Sequence, residues 1–493
     1  MDAVSQEVMK KIDTYTCEHL IKSIDLMEAA GTSMAKEVLS RYYPKRVLLL
    51  VGSSGNGGDA LVLGRKLIEE GIMVDAYLIS DRLSMDTNTN KERFKGNIYH
   101  ELPKLDYDLI IDGLIGFGLK SELRENYIKV IDSVNQSNIK IVSLDIPTGI
   151  DATSGVSYGA FIKSDLCITI EYPKTGLFLN DGLDSYKKLS IISIGIIKTS
   201  DVIHIHEKEE FMGLLPYRLR NSNKGDYGRG AIVAGSYKYP GASYIAYQAC
   251  ASFKMGVGYS YLYVPYEVYE VYALRHPEVI TSSLPSVDGH IQYDRESLGS
   301  LLKMNSISIG MGMDISYDLY QVIQYLLQNY DKTLIIDADG LNTIAKYGVD
   351  ILKNKKCRVI LTPHLKEMER LSKISVSDIM KNPLRAAKEF AHEYDVTLIL
   401  KSASSIITNG HNISISAFGN SSLAKGGSGD MLSGILTGIS AYLDLEPYKI
   451  ASLGCYILGR AAEYAVVDIE EECMSPLDII QNINKVFKEI KNG

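Results

Sequence analysis

Asp430 follows the run Gly426-Gly427-Ser428-Gly429 and leads into an apolar helical pattern formed by Met431, Leu432, Ile435, Leu436 and Ile439. A glycine turn that opens a helix aims free backbone N–H groups and the positive end of the helix dipole at one point. A carboxylate beside that point places a base next to an anion, so phosphate binding coupled to proton removal is the chemistry expected. Read alone, such a run is equally compatible with a flexible loop. Other segments of the second half supply matching parts. Lys401 leaves an expected strand that ends at Leu400, where its ammonium could neutralise phosphate charge. His364 and Glu367 stand one helical turn apart in Leu361-Thr-Pro-His-Leu-Lys-Glu-Met368, so their side chains share a face. Asp337-Ala-Asp-Gly-Leu-Asn342 offers two carboxylates and an amide, enough for magnesium or a sugar hydroxyl.

The first half carries a separate set. Gly52-Ser-Ser-Gly-Asn-Gly-Gly-Asp59 follows an apolar run and opens a helix, a turn suited to phosphate or ribose. It is not the Gly-x-Gly-x-x-Gly fingerprint of ordinary dinucleotide folds. Two further expected strands end in acidic turns, Asp112-Gly-Leu-Ile-Gly-Phe-Gly118 and Asp145-Ile-Pro-Thr-Gly-Ile-Asp151. In a parallel sheet three such strand ends face one crevice, where their oxygens could hold a hard cation and one carboxylate could act as general acid or base. Asp145 could instead be only a turn former before Pro147.

The elements that must position these groups are legible as short β-branched runs alternating with helical patterns, the signature of α/β units and a largely parallel sheet. Expected strands in the first half are residues 46–52, 73–78, 109–112, 140–145, 166–170 and 189–194, with helices over 18–39 and 59–70. The second half restarts with strands at 231–235, 259–264, 306–310, 333–337, 358–361, 396–400 and 405–408, and a helix over 242–255. Order is lost around 201–220, so two α/β domains are expected, 1–214 and 215–493. His204 and His206 alternate with isoleucine there, which fits an exposed edge strand better than a metal site.

A length of 493 residues is too great for one core, and a net charge of −8 argues against nucleic acid as a partner. Six scattered cysteines without a Cys-x-x-Cys pair read as reduced thiols. No signal segment and no apolar stretch of roughly 18 residues is visible, so a cytoplasmic protein without membrane partners is expected, and a homo-oligomer.

The first-half motifs resemble the NAD(P)H-hydrate epimerase family, whose site combines a Gly-Asn-Asn-Gly-Gly-Asp turn, an Asp-Ala-Leu-Phe-Gly-Thr-Gly segment and Asp-Ile-Pro-Ser-Gly. The resemblance implies potassium held by Asn56, Asp112 and Thr148. It implies hydrated-nucleotide contacts from Gly55, Asn56, Gly57, Gly58, Asp59, Gly116, Phe117, Gly118, Leu119, Lys120, Ser121, Glu122 and Asp145, with Asp145 the acid/base. Gly55 stands where the family has its first Asn, and Thr148 where it has Ser.

The second half is similar to the ribokinase-like fold and, more narrowly, to ADP-dependent NAD(P)H-hydrate dehydratases. Magnesium and ADP are implied. The ADP contacts would be Lys401, Ser402, Ala403, Ser404 and Ser405, together with Asn420, Ser421, Ser422, Leu423, Ala424, Lys425, Gly426, Gly427, Ser428 and Gly429. Hydrate contacts would come from Gly312, His364, Leu365, Lys366, Glu367, Met368, Glu369, Arg370 and Asp430. Asp430 would deprotonate the substrate hydroxyl while the N–H groups of Gly427–Gly429 stabilise the moving phosphoryl group. Ser402 replaces the family's Gly after the lysine, Leu365-Lys366 a Pro-Gly pair, and Asn223 a His. The function implied is repair of hydrated NADH and NADPH: epimerisation of the R and S hydrates, then ADP-dependent dehydration of the S form to NAD(P)H, AMP and phosphate. The alternatives are a sugar or hydroxymethyl-pyrimidine kinase, or a catalytically slow nucleotide-binding scaffold.

Overall fold

The computed structural model describes residues 1–119, 121–250, 252–275 and 279–492. The chain divides into two compact units, Met1–His204 and Ile205–Gly493. This division falls before the boundary expected at 214/215. The physical reason is Phe211, which is buried and stacks on Tyr456 with ring centroids 4.2 Å apart, so the segment after Ile205 packs into the second unit.

In the first unit the strands are β1 (Arg46–Val51), β2 (Met73–Leu78), β3 (Ile98–Tyr99), β4 (Leu109–Gly113), β5 (Lys140–Leu144), β6 (Leu166–Ile170) and β7 (Leu189–Ile192). They form a parallel sheet in the order β3-β2-β1-β4-β5-β6-β7. Side chains alternate across a strand, so Val47, Leu49 and Val51 enter one core while Leu48 and Leu50 enter the other. Burial on both faces is why β1 reads as an unbroken apolar run rather than an alternating one. The order reverses between β1 and β4, and the crevice beyond their carboxyl ends is where such sheets bind ligands.

The helix expected over residues 18–39 is two helices, α1 (Gln6–His19) and α2 (Ser23–Arg41). The break comes at Leu20 and Ile21, whose N–H groups both return to the Thr16 carbonyl. Helix α3 (Gly55–Glu69) begins inside the glycine turn, ahead of the expected start at Asp59.

The second unit contains β8 (Arg229–Val233), β9 (Tyr259–Pro265), β10 (Ile280–Leu284), β11 (Ser306–Ile309), β12 (Thr333–Ile336), β13 (Arg358–Leu361), β14 (Thr397–Leu400), β15 (Ser405–Thr408) and β16 (Ile413–Ser416). Their order is β16-β15-β14-β13-β12-β11-β8-β9-β10, parallel from β14 to β10 and antiparallel at β14-β15-β16. Helices α4 (Pro240–Cys250), α5 (Asp339–Tyr347), α6 (Leu365–Ser372), α7 (Ser428–Ser440) and α8 (Pro447–Ala465) flank it. Helix α7 is buried on every side from Met431 to Ser440, and Gly434 and Gly438 let α4 and Met255 approach its backbone. Among the described residues no helix is long and apolar enough to cross a membrane. Both ring nitrogens of His206 are engaged within this unit, Nδ1 with Glu210 at 2.9 Å and Nε2 with Ser414 at 2.8 Å.

Candidate active sites in the two units

The turn after β1 requires glycine for space. A Cβ on Gly52 would stand 1.7 Å from the Leu114 carbonyl oxygen, and one on Gly57 would stand 2.1 Å from the Gly52 oxygen. Gly58 is pressed on the Met27 sulfur in the same way. At Gly55, by contrast, no atom lies within 4 Å of a Cβ position. The turn therefore packs tightly on its inner side and is open where α3 begins.

Asp112, at the end of β4, is fully buried. Burial raises its pKa, while hydrogen bonds from Thr148 and Ser143 oppose the rise. Thr148 donates to it from Oγ1 at 2.6 Å and from its backbone N–H at 2.9 Å. The Asn56 amide beside Gly116 is buried, and neither its oxygen nor its nitrogen has a hydrogen-bond partner. A buried amide left without partners is costly unless something fills the gap.

Asp145 ends β5 with φ of 68°, a left-handed conformation that costs an aspartate about 1 kcal/mol or more. Its N–H is held by the Ile168 carbonyl at 2.7 Å. Its carboxylate forms a buried ion pair with Lys174, which is 0% exposed, and Thr169 lies 3.2 Å from the same ammonium. Removing one partner of such a pair leaves a buried charge uncompensated, at a cost of about 3–5 kcal/mol. Lys174 was not anticipated from sequence. It follows β6 in Glu171-Tyr-Pro-Lys174, which looks like an ordinary loop until the sheet brings it beside β5.

A cavity of about 320 Å³ brings Gly55, Asn56, Asp59, Gly116, Phe117, Gly118 and Asp145 together. Asp13 and Cys17 from α1 line it too, neither of them anticipated from sequence. Of the other expected residues, Gly57 and Gly58 are buried under the helices, Leu119 is buried, Ser121 and Glu122 are exposed outside the cavity wall, and Lys120 lies outside the described residues.

In the second unit the strand ends converge in the same manner. Asp337 follows β12 and is 1% exposed. Ala338 beyond it takes φ of 48°, another strained residue directly at an acid. Lys401, at the end of β14, donates to Asp337 Oδ1 at 2.8 Å, and Ser433 of α7 donates to Oδ2 at 2.8 Å. Burial alone would raise the Asp337 pKa, but Lys401 and these hydrogen bonds outweigh it and hold the acid low. A Cβ on Gly429 would stand 3.0 Å from the Lys401 ammonium, so that ammonium lies against the first turn of α7. Gly427 caps the helix with φ of 99°, a conformation that favours glycine. Asp430 sits on the same turn. Burial and then the Asp337 charge push its pKa up to about 7, with Lys401 pulling the other way.

His364 caps α6 reciprocally with Glu367: its Nδ1 accepts from Lys366 and Glu367 N–H groups, and Glu367 accepts from the His364 N–H at 2.9 Å. This makes Nε2 the protonated nitrogen. Burial pushes Glu367 up to about 7 and lowers His364 below its usual value. Gly312, with φ of 63°, packs against Tyr239 and Ala242.

Several expected contacts are engaged elsewhere. Met368 is 0% exposed in the core, and Glu369 accepts from the Val376 N–H. Lys425 donates to the carbonyls of Glu471, Glu472 and Met474 at 2.8, 2.7 and 2.8 Å. Asn420 and Ser422 bond each other, Ser421 bonds Glu471, and Ser402 donates to the Ser404 carbonyl. Their backbones form the turn; their side chains build it.

Two doubly wound sheets, each with a glycine anion cradle and a buried acid at the strand ends, define a two-domain α/β enzyme with one site per domain. Residues 231–485 match the NAD(P)H-hydrate dehydratase family model, and residues 23–176 match the YjeF-related protein N-terminus. The bifunctional NAD(P)H-hydrate repair enzyme of Dictyoglomus turgidum is 31% identical over 462 residues, covering 89% of this chain and 88% of that protein. The enzyme of the same description from Moorella thermoacetica is 29% identical over 505 residues, covering 96% and 94%. An ADP/ATP-dependent NAD(P)H-hydrate dehydratase of Bacillus subtilis, crystallised with ATP and Mg²⁺, superposes with a TM-score of 0.50 at 25% identity, covering 59% of this chain and 99% of that one. The chain belongs to the bifunctional NAD(P)H-hydrate repair enzyme family.

Proposed function

We propose that the first unit interconverts the R and S hydrates of NADH and NADPH, and that the second dehydrates the S hydrate with ADP, giving NAD(P)H, AMP and phosphate. The observation that carries the second half is Asp430, with its pKa near 7, on the helix turn whose N–H groups and neighbouring Lys401 can hold a phosphoryl group. Asp430 takes the proton from the substrate C6 hydroxyl as that oxygen attacks the β-phosphate of ADP. The N–H groups of Gly427–Gly429 and Lys401 stabilise the charge on the transferred group. Phosphate then leaves where hydroxide could not, and loss of the C5 proton restores the dihydropyridine. Asp337 is committed to Lys401 and Ser433, so Asp339, which accepts from the Asp314 N–H and the Asn342 amide, is the carboxylate proposed to meet the magnesium that accompanies the nucleotide. A small-molecule kinase would leave the first unit without a role.

In the first unit Asn56, Asp112 and Thr148 would hold a potassium ion; what supports this is the buried Asn56 amide beside Gly116, whose oxygen has no hydrogen-bond partner. The ion would supply charge neutralisation for the nucleotide. Asp145, ion-paired with Lys174, would move the proton. The remaining nucleotide contacts are those of the glycine turn and Gly116, Phe117 and Gly118. The working form is proposed as a homo-oligomer in the cytoplasm.

The test mixes racemic NADH hydrate with protein, ADP, magnesium and potassium, and follows dihydronicotinamide absorbance. Full recovery faster than spontaneous epimerisation is expected. No recovery with ADP or ATP would overturn the reading, and recovery halting near half would overturn its first part.

The open surroundings of Gly55 give a second expectation. Gly55→Asn restores the family's amide at a position with room for it. One added hydrogen bond is worth about 1 kcal/mol, so the epimerase KM should fall roughly fivefold with kcat unchanged. Kinetics on the pure R hydrate check this.

A further inference from the structure

Inverting a carbinol carbon through loss and re-addition of water needs two proton-transfer groups, one to protonate the departing oxygen and one to accept a proton from the entering water. Asp145 provides one. The structure assigns the other to Asp13: we propose that Asp13 is a catalytic acid of the epimerisation, entering the substrate cavity from α1. This rests on the reading of that cavity as the epimerase site.

Met9, Asp13 and Cys17 recur at a spacing of four along α1, and all three line the cavity. An acid on that face is conspicuous, because Val8 and Ile12 beside it, and Met9 on it, pack in an apolar cluster with Val4 and Ile196. The helix is fixed against the site rather than merely lying over it. The Gln6 side chain donates to the Phe117 and Leu119 carbonyls, and Val4 exchanges backbone hydrogen bonds with Pro173 and Thr175, the residues on either side of Lys174. The same segment that seats Lys174 on Asp145 therefore seats α1, and Asp13 with it.

Three carboxyl groups, Asp13, Asp59 and Asp145, share this cavity wall, and Lys174 is already paired with Asp145. Such crowding favours keeping protons on the two that lack a cation. Burial, and then the Asp145 charge, push Asp13 up to about 6, and burial with the Asp145 and Asp13 charges raises Asp59 well above its usual value.

The step balances as follows. Asp13 gives its carboxyl proton to the C6 hydroxyl oxygen as the C6–O bond breaks and water departs. The lone pair of ring N1 forms the N1–C6 double bond, leaving a planar cation. Water adds to the opposite face and passes its proton to Asp145. The two acids have then exchanged proton states, and solvent resets them.

The test measures conversion of the pure R hydrate by the full chain. Asp13→Asn is expected to lower epimerase kcat by a hundredfold or more, with KM changed less than threefold and dehydration of the pure S hydrate unchanged. Wild-type kcat, or a loss confined to KM, overturns the proposal. If Asp13→Asn does not fold, Asp13→Glu carries the test, because moving the carboxyl by one methylene should lower kcat with KM preserved, and wild-type kcat overturns it. Asp145→Asn run in parallel separates the two levels: if it too epimerises normally, the reading of the cavity is at fault rather than the role of Asp13.

Discussion

Asp430→Asn is expected to abolish dehydration, lowering kcat by about a thousandfold, while nucleotide and hydrate still bind. The substitution keeps the shape of the first turn of α7 and removes only the base. A base works when deprotonated, so the wild-type kcat should rise with pH through about 7, the value to which burial lifts Asp430. Asp337, Lys401 and Asp339 surround that carboxyl, and Glu367 titrates in the same range. Glu367→Gln separates the two acids: the rise through about 7 persists if Asp430 is the base. Single-turnover recovery of NADH across pH, beside nucleotide titration of Asp430→Asn, provides the check. Unchanged turnover in Asp430→Asn would leave the second unit a binding scaffold.

Lys401→Met has the other large expected effect, and it acts on stability as well as activity. It strands Asp337, which is 1% exposed and would keep the hydrogen bonds from Ser433 and the Ala338 N–H but lose its ammonium partner. Breaking a buried pair from one side costs about 3–5 kcal/mol, a large share of the stability of an ordinary domain. Urea unfolding should register that loss in the second unit. The double variant Lys401→Met with Asp337→Asn removes the uncompensated charge and should regain most of the stability while remaining inactive. Equal loss in the single and double variants would mean that the lysine acts by packing alone.

The strand ends at Gly52, Asp112, Asp145 and Asp337 were legible because each of these motifs follows an apolar run and opens with glycine or aspartate. β2, β6, β13 and β15 match their expected limits residue for residue, and most other strands differ by one or two residues at an end. What could not be read depends on distance along the chain. Lys174 reaches Asp145 only because β5 and β6 are neighbours, and Asp13 reaches both only through the anchoring of α1. The join of α1 and α2 was hidden because apolar spacing runs through Leu20 and Ile21, and the Lys22 that starts α2 makes no side-chain cap. β16 went unread because Ile413–Ser416 alternates isoleucine with serine and lacks the consecutive β-branched residues that mark β15. Phe211 looks like a linker residue until Tyr456, far along the chain, stacks on it.

The clamp of Lys425 on three carbonyls between Glu471 and Met474 bears on protein engineering. A glycine-rich loop of this type looks like a cassette, exchangeable among relatives to alter nucleotide preference. In this chain its ammonium is the hub of a distant segment, so a graft of residues 420–429 alone would arrive without the carbonyls that hold it. Chimeras must carry the two stretches as a matched set.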